Sequence, residues 1–149
     1  MAQTYIGSTL RTGSGTLTDA TDGGFVVVSQ TTTVTTVAAG TAVSSTITLP
    51  ASSQIINFFV DVVQLAVVGG GTATTVPVTI GTAAAGTQYL SSTDTASGGR
   101  VALTFTAAQL AAMASIGTSQ SVVITVDPNG TISTTQSIIR LTVVYAQKV

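Results

Sequence analysis

Few residues of this chain have side chains that could take part in a chemical reaction. The 149 residues include no His, Cys or Glu, so the usual general bases, thiolates and imidazole metal ligands are missing. A Ser or Thr nucleophile would need a base, and the only lysine, Lys148, stands beside the last residue. We therefore expect that the protein is not an enzyme and uses no cofactor.

Asp19 and Asp22, within "DATDGG" (19–24), are the best candidates for metal ligands, because Ca²⁺ prefers carboxylate oxygens. Two carboxylates without the rest of a binding loop fit a plain turn better, so we predict no metal site. The stretch "VVGGGT" (67–72) lacks the lysine and the following helix of a phosphate-binding loop. We interpret it as a turn as well.

The chain has few charges, and they are scattered. Only 6% of its residues are charged, with a net charge of −1, where about 25% is usual for soluble domains. Binding to nucleic acid would require clustered Lys or Arg to neutralise phosphates, which four scattered cations do not provide. The first residues, "MAQTYIGSTLRTG", have no basic region followed by an apolar core, so we expect assembly in the cytoplasm.

Thirty residues are Thr, and β-branched side chains favour strands over helices. Alternation of apolar and polar residues predicts strands at 25–37, 43–49, 76–80 and 100–106, and the turn sequence "DPNG" (127–130) predicts a hairpin between the last two strands. Thr106 and Gln109 form a capping box at the start of one short helix, about 107–115. The chain is thus mostly β: an antiparallel β-sandwich or jelly-roll-like domain over 25–149, preceded by an extended N-terminal arm, 1–24.

The most apolar stretch is "IINFFVDVVQLAVV" (55–68). It is shorter than the roughly 20 residues of a transmembrane helix, so no contact with a membrane is expected. Asn57, Asp61 and Gln64 could form the polar side of a helix, but the β-branched and aromatic composition favours a strand.

As a strand, this stretch has two apolar faces. Ile56, Phe58, Val60 and Val62 share one face, and Ile55, Phe59 and Val63 share the other with Asn57 and Asp61. A sandwich core covers only one of them, so the second face should meet another element or a partner. We expect Asp61 to pair with Arg100 or Arg140. The predicted interface residues are Tyr5, Ile6, Leu10 and Arg11 in the arm, and Ile55, Phe59 and Val63 in the strand.

The order of "VTIGTAAAGTQYL" (78–90), "GGRVALTFTAAQL" (98–110), "SVVITV" (121–126) and "IIRLTVVYAQK" (138–148) resembles the small Ala/Thr/Val-rich β-proteins of tailed-phage virions, in particular head decoration or capsid-cement proteins. The resemblance covers residues 76–148 and contains no diagnostic motif. It implies a non-enzymatic structural protein on the capsid surface, assembled in the host cytoplasm, with the major capsid protein as partner and with homo-oligomers.

Two other functions remain open from the sequence. One is a receptor- or carbohydrate-binding module of a phage fibre or a cell-surface adhesin, for which only Tyr5, Tyr89 and Tyr145 could supply exposed tyrosine rings. The other is a different virion part, such as a tail-tube or connector protein, because these proteins share the same composition.

Overall fold

The computed structural model describes residues 11–12, 15–16, 25–66, 72–114, 118–132 and 135–148. The elements in chain order are β1 (Arg11–Thr12), β2 (Gly15–Thr16), β3 (Phe25–Thr35), β4 (Val43–Leu49), β5 (Ser53–Gln64), β6 (Pro77–Gly81), β7 (Leu90–Asp94), β8 (Gly99–Arg100), α1 (Ala107–Ala114), β9 (Gln120–Val126) and β10 (Ile138–Lys148). Of the predicted arm, the structure describes only β1 and β2, which pair antiparallel with Arg11 opposite Thr16. The rest of that prediction lies outside the described residues.

Strands β3 to β10 form two four-stranded antiparallel sheets. The first sheet has the order β3-β10-β5-β8 and the second has the order β4-β9-β6-β7. The pairing is nested along the chain, since β3 pairs with β10, β4 with β9, β5 with β8 and β6 with β7. This nesting is the arrangement of a jelly roll, so the predicted antiparallel sandwich is confirmed.

The core lies between the inner faces of the two sheets. In β4, buried Ile47 and Leu49 alternate with exposed Thr46 and Thr48, as a strand with one covered face requires. The largest buried side chains come from both sheets and from the segment before β7: Leu49, Phe58, Ile80, Tyr89, Leu90, Ile124, Ile139 and Leu141. The ring of Phe58 lies 5.6 Å from that of Tyr89, centroid to centroid.

A β-bulge changes the faces of β5 from those predicted. Tyr145 of β10 lies opposite Ile55, and Val144 lies opposite Asn57, so Ile56 is an extra residue without an opposite partner. The side chain of Ile55 is therefore buried, 3% exposed, and that of Ile56 is 49% exposed. The prediction that Ile55 shares the outer face with Phe59 is wrong.

The predicted hairpin around "DPNG" is also wrong, because β9 and β10 belong to different sheets. Both edges of β9 are already occupied, by β4 and by β6. The chain after β9 instead runs along the segment before β6. There Asp127 N–H donates to Pro77 O at 3.0 Å and Asn129 N–H to Thr75 O at 3.2 Å.

The predicted strand 100–106 is mostly outside the sheet. Only Gly99 and Arg100 pair with β5, and the chain leaves the ladder beyond Val101. The predicted alternation survives in the burial of the side chains, since Leu103 and Phe105 are half-buried while Ala102 and Thr104 are exposed.

The predicted helix is confirmed as α1. Its capping box is formed, with Gln109 Oε1 accepting from Thr106 N–H at 2.8 Å and Thr106 Oγ1 accepting from Gln109 N–H at 3.3 Å. The amide of Gln109 also donates to Thr87 O and to Ser91 Oγ. Because Gln109 is buried, these bonds tie the helix to the segment around β7.

Candidate interaction surface

The outer side of the first sheet is a broad surface rich in Thr and Val, which we call the open face. Thr31, Thr33 and Thr35 of β3 lie opposite Thr142, Arg140 and Ile138 of β10. Its residues on the three long strands are Val27, Ser29, Thr31, Thr33 and Thr35 of β3, Ile138, Arg140, Thr142, Val144 and Ala146 of β10, and Asn57, Phe59, Asp61 and Val63 of β5.

Apolar side chains are exposed at both margins of the open face. Val27 on β3 is 63% exposed and Val63 on β5 is 57% exposed. Ile56, which the bulge turns out of the core, is exposed near the opposite end of β5 from Val63. Isolated exposed apolar residues are ordinary, but here they flank a row of uncharged Thr side chains, which costs little to dehydrate compared with a charged surface.

The outer side of β9, in the second sheet, differs because the loop after β6 covers it. The loop after β6 places Ala85 N–H 2.8 Å from Thr125 Oγ1, which accepts its hydrogen bond. Thr125 and Val123, both on the outer side of β9, are consequently buried. The close approach within this loop depends on glycine, since a Cβ on Gly81 would collide with the backbone of Gly86.

A cluster of one carboxylate and two guanidinium groups interrupts the open face. Asp61 lies opposite Arg140 on one side and opposite Arg100 on the other. Arg100 Nε donates to Asp61 Oδ1 at 2.8 Å, and Arg140 Nη2 donates to Asp61 Oδ2 at 3.2 Å. The expected pairing of Asp61 is thus confirmed with both arginines, and the cluster carries a net charge of one positive unit.

The cluster changes the proton affinities of its members. The hydrogen bond from Arg100 holds the pKa of the Asp61 carboxyl below its usual value, against a smaller opposing effect of burial. The same bond raises the pKa of the Arg100 guanidinium. The guanidinium of Arg100 also lies 4.7 Å from the centroid of the Phe59 ring, in a cation–π contact.

Next to the cluster lies an open groove of about 340 Å³, which we call the edge groove. It is lined by Asn57, Phe58, Phe59, Arg100, Val101, Ala102, Leu103 and Phe105. The groove exists because β5 continues past the point where the chain after β8 leaves it. On its floor, Asn57 Oδ1 accepts a hydrogen bond from Phe58 N–H at 2.8 Å.

The structure brings some predicted interface residues together and separates others. Phe59 and Val63 lie on the open face as expected, whereas Ile55 is in the core. Arg11 belongs to β1, and its side chain is not described. Tyr5, Ile6 and Leu10, like the candidate metal ligands Asp19 and Asp22, lie outside the described residues.

The edge groove has little signal in the sequence. Asn57 looked like a polar interruption of an apolar strand, and its bond to Phe58 N–H depends on a vacant ladder position that no pattern encodes. Two of the three tyrosines considered for carbohydrate binding, Tyr89 and Tyr145, are buried at 1% and 2% exposure and cannot present their rings to a ligand.

Within the described part of the chain, no group of three or more acidic or other metal-ligating side chains lies close enough to hold a metal ion. No helix among the described residues has the length and hydrophobicity needed to cross a membrane. Comparison of the chain with protein-family models, with curated proteins and with solved structures found no match.

Proposed function

We propose that this protein is a structural component of a tailed-phage virion that decorates or cements the capsid by docking its open face onto the major capsid protein. In this proposal it is assembled in the host cytoplasm, forms homo-oligomers on the capsid surface and catalyses no reaction. The resemblance of residues 76–148 to head decoration proteins supports the proposal.

The observation that carries the proposal is the difference between the two outer faces. On the second sheet the loop after β6 covers the outer side of β9 through the bond from Ala85 to Thr125, whereas the open face presents Val27, Val63 and a row of Thr side chains to the outside. The centres of protein interfaces are depleted of charged residues, and the described charges of the open face are confined to the Asp61 cluster.

Burial of apolar area would drive such docking. A stable interface buries about 800 Å² on each partner, and apolar area contributes about 25 cal/mol per Å² before the costs of association. Thr hydroxyls are cheap to dehydrate where they bond to one another, as Thr31 and Thr142 do at 3.1 Å. Specificity would come from the Asp61 cluster, the one charged feature among the described residues of the open face.

The test is co-sedimentation of the purified protein with capsids of the virus that encodes it, together with two substitutions. Val63→Asp places a charge on the open face and should weaken capsid binding at least about tenfold, because the carboxylate must lose its water on docking. Thr48→Asp is the matched control on an exposed strand position of β4 and should bind like the wild type. Equal binding by both variants, or a monomer without affinity for any capsid, would contradict the proposal.

A further inference from the structure

We propose, building on the docking role above, that the edge groove receives an extended peptide segment of the partner as an added β-strand, with a carboxylate of that segment at the Arg100 end. In the docking proposal the partner covers the open face. Strand addition describes how the partner is held there. The occupant is a peptide of stated chemistry: extended, apolar on one side and acidic at one position.

Backbone pairing between β5 and the chain after β8 stops beyond Val101. Asp61 pairs with Arg100, and Val101 N–H donates to Val60 O at 2.9 Å. If the register continued, Leu103 would lie opposite Phe58, but the strand has ended there and the edge groove lies between them. Val60 is therefore paired with Val101, whereas Phe58, the next position along this edge of β5, has no strand opposite it.

The vacant position has an unused ladder amide. In an antiparallel pair, alternate residues direct their backbone N–H and C=O groups to the same side, so Phe58 points these groups the same way as Val60, toward the groove. Phe58 N–H has taken the nearest substitute, Oδ1 of the adjacent Asn57. A side-chain cap of this kind can be displaced by a peptide carbonyl, and exposed strand edges are the usual template for strand addition.

The walls of the groove suit an extended peptide. Val101, Leu103 and Phe105 are half-buried and line one side, and Phe59 lies on the other. The vacant stretch of β5, Asn57–Phe59, extends about 10 Å at about 3.3 Å per residue, which accommodates about three residues of an added strand. Alternate side chains of that strand would contact the apolar walls.

The positive charge at one end of the edge groove favours a peptide with a carboxylate at that position. Arg100 lines the closed end of the groove, and its cluster with Asp61 and Arg140 is net positive. The side chain of Arg100 is 62% exposed, and its guanidinium keeps donors in addition to those that bind Asp61. A carboxylate at that end would gain a charge-assisted hydrogen bond, whereas an ammonium group would be repelled.

The experiment titrates the isotope-labelled protein with an eight-residue peptide that alternates Val and Thr and carries one Asp near its end, followed by NMR up to about 1 mM peptide. We expect saturable shifts centred on Phe58, Val101 and Leu103, with slower hydrogen exchange at Phe58 N–H as a peptide carbonyl replaces Asn57 Oδ1. The same peptide with Lys in place of Asp should bind at least about fivefold more weakly.

Two variants keep the test specific to the groove. Ala102→Glu places a carboxylate at a position that lines the groove and should raise the Kd for the acidic peptide at least about tenfold. Thr104→Glu adds the same charge to an exposed neighbour that does not line the groove, and its Kd should stay within about twofold of the wild type. The absence of any shift at Phe58, or equal loss of binding in both variants, would overturn the proposal.

The proposals for the edge groove and for the open face can be contradicted separately. If capsids bind the Ala102→Glu variant as well as the wild type while Val63→Asp abolishes binding, docking stands and strand addition is wrong. If the peptide binds as described but no capsid does, strand addition stands and the virion role is wrong.

Discussion

Asp61 on β5 lies directly opposite Arg100 on β8, and their side chains form a two-point ion pair with N–O distances of 2.8 and 3.2 Å. Arg140, on the strand at the other side of β5, donates to the same carboxylate. The two arginines are 39 and 79 positions from Asp61 in the sequence, so only this topology brings them together. One carboxylate thereby ties both neighbours of β5 to it across the open face.

Asp61→Asn should lower the free energy of unfolding by about 1 kcal/mol or less at neutral pH, as expected for ion pairs with solvent-exposed partners. The pKa of Asp61 is lowered in the folded protein, chiefly by the hydrogen bond from Arg100. The resulting stabilisation is present above the usual carboxyl pKa of 3.8 and is lost as the pH falls through the lower folded-state pKa. Urea unfolding of both proteins between neutral pH and about pH 2 should show their difference shrinking in the acid range.

Asp127→Asn is the matched control for that measurement. Asp127 is exposed and has no ion pair among the described side chains. Its removal should change the free energy of unfolding at neutral pH by less than about 0.5 kcal/mol, as expected for an exposed residue. An Asp61→Asn variant with the same acid dependence as the wild type would show that the ion pair does not stabilise the fold.

Adjacent isoleucines test the bulge in β5. Ile55→Ala should cost about 2–5 kcal/mol of unfolding free energy, because it leaves a cavity in the core. Ile56→Ala, at an exposed position, should change it by less than about 0.5 kcal/mol. Chemical denaturation of the two variants measures both values, and the reverse order of costs would contradict the register at the bulge.

Substitutions at two glycines with similar φ angles distinguish the cost of backbone strain from the cost of a steric collision. Gly40 has φ +69° and Gly99 has φ +73°, a region that L-residues enter at a cost of about 1–2 kcal/mol. A Cβ on Gly40 would also collide with the backbone oxygen of Gly130, whereas one on Gly99 would meet nothing within 4 Å. Gly40→Ala should therefore destabilise the protein by at least about 1 kcal/mol more than Gly99→Ala. Equal thermal unfolding of the two variants would argue against the close approach of Gly40 and Gly130.

Tyr89 should make the protein sensitive to alkali. Burial raises the pKa of its phenol above the usual value of 10.0. Because the folded-state pKa is raised, the stability from the neutral phenol is complete below about pH 10 and is lost as the pH rises through the folded-state pKa. Tyr89→Phe should therefore lose less stability than the wild type between about pH 8 and pH 11, measured by thermal unfolding monitored by circular dichroism. Parallel losses in the two proteins would show that another group causes the alkaline effect.

Local features of the fold were predictable from the sequence, and non-local ones were not. Strand β4 begins and ends at the predicted residues, and the capping box at Thr106 fixes the start of α1 in both cases. The bulge at Ile56 was hidden, because an extra residue in one strand shows only against its partner. The hairpin at "DPNG" failed for the same kind of reason: a good turn sequence does not reveal that β9 is already paired on both edges.

The candidate site was partly predictable. The partners of Asp61 could be inferred because the chain has so few cations, and alternation beyond Ile56 placed Phe59 correctly. Val63 is exposed as expected, but it is an extra residue at a second register shift, between Val62 and Gln64. The edge groove could not be inferred, since it arises where the chain after Arg100 departs from β5. That departure depends on packing of Leu103 and Phe105 beside the core, which alternation alone cannot distinguish from a continued strand.

The nested pairing sets the order in which the molecule can be completed as it is synthesised. Strand β10 lies between β3 and β5 and pairs with β3 along eleven residues, from Ile138 opposite Thr35 to Lys148 opposite Phe25. The middle of the first sheet thus stays empty until that last strand has emerged from the ribosome, and long-range pairing of this kind folds slowly. A nascent chain stopped before Ile138 would expose the unpaired backbone edges of both neighbours, so premature termination should yield aggregates and no partially working protein.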